Sequence, residues 1–65
     1  RERQVLDALS RGLNSIGDIT QMIYVDVAAP LQRVAEFSVQ AHLEKLIREG
    51  RVKREGGRYL LLGGN

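Results

Sequence analysis

The sequence predicts an α+β domain, three helices followed by a two-stranded antiparallel hairpin, and three observations carry that expectation. Val39, Leu43, Leu46 and Ile47 recur at helical spacing and trace one apolar stripe. Gly50 comes next, at the position where a residue with φ > 0 commonly closes a helix. Arg51-Val52-Lys53-Arg54 then changes to a period of two, with a second strand to pair across Gly56-Gly57. A long helix closed by glycine and followed at once by a basic hairpin is the second half of a winged helix-turn-helix.

Sixty-five residues make one domain, near the lower limit for a core without staples. We expect that domain to run over residues 1–62, with a frayed tail at 63–65. The absence of cysteine excludes a disulfide framework and a thiolate metal site. Reducing surroundings suit such a chain, so an intracellular setting, cytoplasmic or mitochondrial, is expected. No apolar run approaches a membrane span, and no signal-peptide pattern opens the sequence. The first residue is Arg1 rather than methionine, which reads as a piece of something longer.

The net charge of +2 hides an asymmetry. Residues 1–50 carry six basic and seven acidic side chains, while residues 51–65 carry four basic and one acidic. Five of the seven glycines also fall from Gly50 onward. A near-neutral helical body therefore precedes a basic, glycine-punctuated hairpin. A total of +2 is too weak to argue for a polyanion partner, so the position of the charge matters more than its sum.

Taken in order, Arg1 to Arg11 reads as the first helix, with Val5, Leu6 and Leu9 on one face and Gly12 ending it. Leu13 is expected to tuck under that end. Ser15 is the N-cap expected for the second helix, and Asp18 three residues later fits a capping-box pattern. Ile16, Ile19, Ile23 and Tyr24 then face the core, and the helix frays at Tyr24-Val25-Asp26. Val27-Ala28-Ala29 connects to the third helix, with Pro30 at N1 and Ala29, before the proline, steered out of the helical region.

No helix breaker appears from Pro30 to Glu49. Leu31, Ala35, Val39, Leu43 and Leu46 trace the expected buried stripe, flanked by Val34, Ser38, His42 and Ile47. Pairing across Gly56-Gly57 sets Glu55 opposite Arg58, Arg54 opposite Tyr59, Lys53 opposite Leu60 and Val52 opposite Leu61. Val52, Arg54, Tyr59 and Leu61 then form the core side, with Arg54 lying along the Tyr59 ring. Leu60 and Leu62 point the other way.

No catalytic constellation is visible. His42 is the only histidine, and a lone histidine on a helix flank is far more often structural than a ligand. Asp7, Asp18, Asp26, Glu36, Glu44 and Glu49 are spaced as solvated or capping charges. Taken alone, this chain does not read as an enzyme.

Nucleic-acid contact is the next question. A groove-reading helix presents its N-terminal residues to base edges and needs positive charge. Here the third helix opens with Leu31 and Gln32, and its polar residues sum to zero charge. The hairpin is the better candidate, because Arg51, Lys53, Arg54 and Arg58 could follow a phosphate backbone without reading sequence. The alternative is that a two-stranded edge carries positive charge to resist edge-to-edge pairing. Tyr59 alone does not make a stacking platform. Leu60 and Leu62, expected to be more exposed than Val52 and Leu61, are either a docking surface or an ordinary scatter of surface leucines.

The wording of the chain is also specific. Arg3-Gln4-Val5-Leu6, Ile23-Tyr24-Val25-Asp26-Val27, Ala35 with Ser38-Val39-Gln40-Ala41-His42-Leu43-Glu44-Lys45-Leu46, and Glu49-Gly50-Arg51-Val52 together resemble one module. It is similar to the C-terminal winged-helix domain of metallo-β-lactamase-fold hydrolases, the group that includes the β-lactamase-like endoribonucleases. The resemblance covers roughly residues 1–54 and takes in the long third helix. It implies a catalytic domain upstream of Arg1, whose histidine- and aspartate-rich motif binds two zinc ions. None of that motif is present here, so no catalytic or metal residue carries over. The module itself is implied to be an accessory domain beside the active-site mouth, helping to hold single-stranded RNA. The other reading left open by the residues is a free-standing regulator binding duplex DNA as a dimer.

Overall fold

The computed structural model describes residues 1–63. Three helices, α1 (Glu2–Ser10), α2 (Ile16–Ile23) and α3 (Ala29–Arg48), are followed by β1 (Val52–Glu55) and β2 (Arg58–Leu61). This is the three-helix body and two-stranded wing that the sequence predicts. Of the tail expected at 63–65, Gly64 and Asn65 lie outside the described residues.

The core is one contiguous cluster. Val5, Ala8 and Leu9 of α1 meet Ile19 of α2, Val39, Leu43 and Leu46 of α3, and Val52 and Tyr59 of the wing. Leu6, Leu13, Ile16, Ile23, Tyr24 and Ile47 pack against it half-buried. Thr20 is also fully buried, which the apolar pattern of α2 did not indicate. Its hydroxyl donates to the Ile16 carbonyl at 2.6 Å, so the buried oxygen keeps a partner inside its own helix.

Helix ends follow the expected chemistry. The Ser15 hydroxyl accepts the Asp18 N–H at 3.1 Å, giving α2 its N-cap. At the other end of α3, Gly50 takes φ +76°. The Gly50 N–H donates to Ile47 and the Arg51 N–H to Leu46, the paired bonds of a Schellman closure. The same closure ends α1, with Gly12 donating to Leu9 and Leu13 to Ala8.

The start of α3 differs by one residue from the expectation. Ala28 is the extended N-cap (ψ 151°) and Ala29 is already helical, which makes Pro30 the second helical residue rather than the first. The pre-proline bias against helix is a preference, and the fixed φ of Pro30 still suits a first turn, where N–H groups lack intrahelical partners. Gln32 steadies this entry, its side-chain amide donating to the Tyr24 and Val27 carbonyls at 3.4 Å each.

A larger correction concerns the stripe of α3. Ala35, Val39, Leu43 and Leu46 are buried, but Leu31 is 57% exposed and Val34, expected to flank the core, is 63% exposed. Length is the reason. Twenty residues span about 30 Å, in a molecule measuring 35 × 20 × 19 Å. The helix must therefore lie along the long dimension, and α1, at nine residues, is less than half its length and cannot cover all of it.

The wing has the predicted register, Val52 opposite Leu61, Lys53 opposite Leu60, Arg54 opposite Tyr59 and Glu55 opposite Arg58. Gly56 supplies the positive φ (62°) that the two-residue turn needs. In such a ladder Arg54 and Tyr59 form a non-hydrogen-bonded pair, so the Tyr59 N–H points outward. It donates to the Asn14 carbonyl at 2.8 Å, and this bond ties the wing to the α1–α2 connection. The Leu62 N–H donates to Arg51 at 2.9 Å and extends the hairpin by one rung.

Candidate functional site

Four basic residues of the wing are the candidate phosphate contacts, with protection of a strand edge as the other reading, and each has different surroundings. Arg51 turns back to the body, its guanidinium 3.5 Å from a Glu2 carboxylate oxygen. Lys53 lies 3.1 Å from Glu55 on its own strand. Arg54 sits over the Tyr59 ring at 5.8 Å from the centroid, the stacking expected from the register. Arg58 is exposed. Among the described residues, Arg54 and Arg58 make no ion pair, and they project from opposite faces of the hairpin. Surface pairs such as Lys53–Glu55 contribute little and are screened by salt, so Lys53 can exchange its carboxylate for a phosphate. Tyr59 is buried, so it offers no ring for a base to stack on.

Among the described residues, Glu2 is the carboxylate with the most partners from other elements. Lys45 Nζ donates to it at 2.9 Å while Arg51 holds its other oxygen, so one side chain fastens α1 to the end of α3 and the start of the wing. The hydrogen bond from Lys45 lowers the pKa of Glu2 below the ordinary glutamate value. The same bond raises that of Lys45.

The wing leucines do not divide as their alternation predicts. Leu61 is 42% exposed although its side chain points to the core side, and Leu62 is 41% exposed. Leu60, on the outer side, is half-buried. Register alone decides which way a side chain points. Tyr59 is buried where the strand is fastened to Asn14, and Leu61, two residues on along the same face, is left partly in solvent although its partner Val52 is covered. The expected contrast of exposed Leu60 and Leu62 with covered Val52 and Leu61 therefore holds only for Val52 and Leu62.

A different surface is more apolar. Val34, Phe37 and Ala41 of α3 are all exposed, Phe37 at 67%, with Leu31 at the edge of the same strip. At 100° per residue Val34, Phe37 and Ala41 lie opposite the buried stripe of Ala35, Val39, Leu43 and Leu46. The signal was present in the sequence as a second set of apolar residues at i, i+3 and i+7. Beside Phe37 runs an open groove of about 310 Å³, lined by Ile16, Gly17, Arg33, Glu36, Phe37 and Gln40. A second hollow of about 380 Å³ lies under the α2–α3 connection, against Gln21, Val25, Val27, Ala29 and Gln32.

The described residues contain no group of three His, Cys, Asp or Glu side chains that could hold a metal ion. His42 is half-buried on α3. No helix among the described residues is long and apolar enough to cross a membrane.

These features are a winged helix whose third helix turns an apolar, charge-balanced face outward. Against known families, the model of the beta-lactamase associated winged helix domain matches residues 15–59. The chain belongs to that family. The match takes in α2, α3 and the wing through Tyr59, including the Gly56-Gly57 turn, and leaves α1 outside. No solved structure matches the chain. As a beta-lactamase associated winged helix domain, it is an accessory unit, and its family name implies association with a β-lactamase-fold domain.

Proposed function

We propose that this winged-helix domain is the non-catalytic accessory module of a zinc-dependent metallo-β-lactamase-fold hydrolase. It docks on the catalytic domain and helps to position single-stranded RNA. The donor set here does not suit zinc, so the metal belongs to the partner domain and no step is derived through it. The reading sets the module in the reducing interior of the cell, in keeping with a chain without cysteine.

The observation that carries this reading is the outward face of α3. In a DNA-binding helix-turn-helix that face enters the major groove and must neutralise phosphates. Here it presents Leu31, Val34, Phe37 and Ala41, with Arg33 offset by Glu36. An apolar face suits a protein surface, and it argues against the duplex-DNA regulator. RNA would then be left to the wing, where Lys53, Arg54 and Arg58 offer backbone contacts without base stacking.

Fluorescence anisotropy with a labelled oligoribonucleotide and a labelled DNA duplex tests the reading between 50 and 200 mM salt. RNA binding indifferent to sequence is expected, falling with a log–log slope of about 0.7 per phosphate contact. Replacing Lys53 and Arg58 by glutamine removes two contacts and flattens that slope by about 1.4. An unchanged slope leaves the wing charges as guards against edge pairing. Sequence-specific binding of the duplex at nanomolar affinity overturns the accessory reading in favour of a regulator.

A further inference from the structure

Gly17 is out of place by the rules of helix composition. It lies in the first turn of α2, outside the positive-φ region, and a Cβ added there meets nothing within 4 Å. Neither the backbone nor packing within the chain asks for glycine, and helix propensity disfavours it. What marks the position is the groove. Ile16 and Gly17 form one wall, and Arg33, Glu36, Phe37 and Gln40 of α3 form the other. A bare backbone facing a mostly exposed aromatic ring leaves room for a close approach from outside.

We infer that the groove between Gly17 and Phe37 is the seat of the β-lactamase-fold domain, which inserts an apolar side chain there and covers Val34 and Ala41. This deepens the accessory reading and rests on it. Two arguments choose the occupant. A stable dimer of this chain would need about 800 Å² from each copy, roughly a fifth of its 4456 Å² surface. The strip from Leu31 to Ala41 is only about 15 Å long and one helix wide. Domains of one polypeptide hold together across smaller and more polar interfaces, because the tether supplies the effective concentration. Charge points the same way: Glu36 stands beside Arg33 on the rim, so a nucleic-acid backbone finds no net attraction there.

The test places a photo-crosslinking p-benzoylphenylalanine at Phe37, or separately at Leu62, in the polypeptide as the cell makes it, and maps crosslinks by mass spectrometry. The Phe37 probe is expected to join a β-lactamase-fold domain. Gly17→Leu is expected to cut that yield at least tenfold with circular dichroism unchanged. If leucine disturbs α2, Gly17→Ala takes its place, since it favours the helix and still fills the wall. An undiminished yield in these variants overturns the role of Gly17. A Phe37 crosslink to a second copy, or capture of the β-lactamase-fold domain from Leu62 alone, overturns the groove and leaves the accessory reading standing. Capture of that domain by neither probe overturns both.

Discussion

From Val39 to Arg48, α3 buries Val39, Leu43 and Leu46 against α1 and the wing and ends in a glycine closure. From Ala29 to Ser38 the same helix buries Ala35 alone, while Leu31, Val34 and Phe37 stand in solvent. Nothing in the backbone separates the halves, for the helix is continuous. The difference lies in what is beside them. The C-terminal half joins the core cluster with α1, α2 and the wing. The N-terminal half meets the end of α2, where the Tyr24 hydroxyl donates to Ser38 Oγ at 3.3 Å. One half is organised by its own chain, and the other presents apolar surface for something else to cover.

The sharpest way to break this comparison is to truncate one large side chain in each half. Leu43→Ala removes a fully buried side chain and is expected to destabilise the fold by about 2–5 kcal/mol. Phe37→Ala removes a larger one from solvent and is expected to stay within about 0.5 kcal/mol of wild type. Urea midpoints at constant m-value measure both. A loss above 1 kcal/mol in Phe37→Ala would mean that the outer face is packed within the chain, and the comparison would fail.

Two glycines sharpen it further, because the same substitution should act with opposite signs. Gly50→Ala forces a Cβ into φ +76° at the end of α3, and is expected to cost about 1–2 kcal/mol. Gly17→Ala places a Cβ in open space on a helix and is expected to gain up to about 1 kcal/mol. For a domain of this size each kcal/mol moves Tm by roughly 4–8 °C. A destabilised Gly17→Ala would show that glycine has a structural role there.

The organised half was also the legible half. The register of the wing could be read because a two-residue glycine turn leaves one pairing, and Ser15 because a hydroxyl three residues before Asp18 has few other uses. Leu31 and Leu61 were misplaced for one shared reason. Periodicity gives the direction of a side chain, and burial also needs a surface beneath it. The extent of that surface depends on the other elements, and no local pattern in α3 or β2 records it. Phe37 went unremarked because it fell outside the buried stripe, although with Val34 and Ala41 it forms a second one. The contact of Arg51 with Glu2, forty-nine positions earlier, could not be read from the wing, because nothing local to the strand records it.

The smallest expected effect lies in the same Glu2 contact, which belongs wholly to the organised half. Its carboxylate is held below the ordinary glutamate pKa by the Lys45 hydrogen bond. A lowered carboxylate pKa in the folded state stabilises above the unfolded value of about 4.3, and that contribution is lost as pH falls through the folded value. Lys45 has the opposite sign, raised by the same bond. Its contribution is present at neutral pH and disappears only as pH rises beyond the ordinary lysine range. Denaturation between pH 3 and 7 should therefore show an acid limb that Glu2→Gln flattens and Phe37→Ala leaves unchanged. The groups are solvent-accessible, so the limb is shallow and shrinks further in 1 M salt, where the screening length is about 3 Å. An acid limb identical in wild type and Glu2→Gln would mean that the contact between α1, α3 and the wing contributes nothing to holding them together.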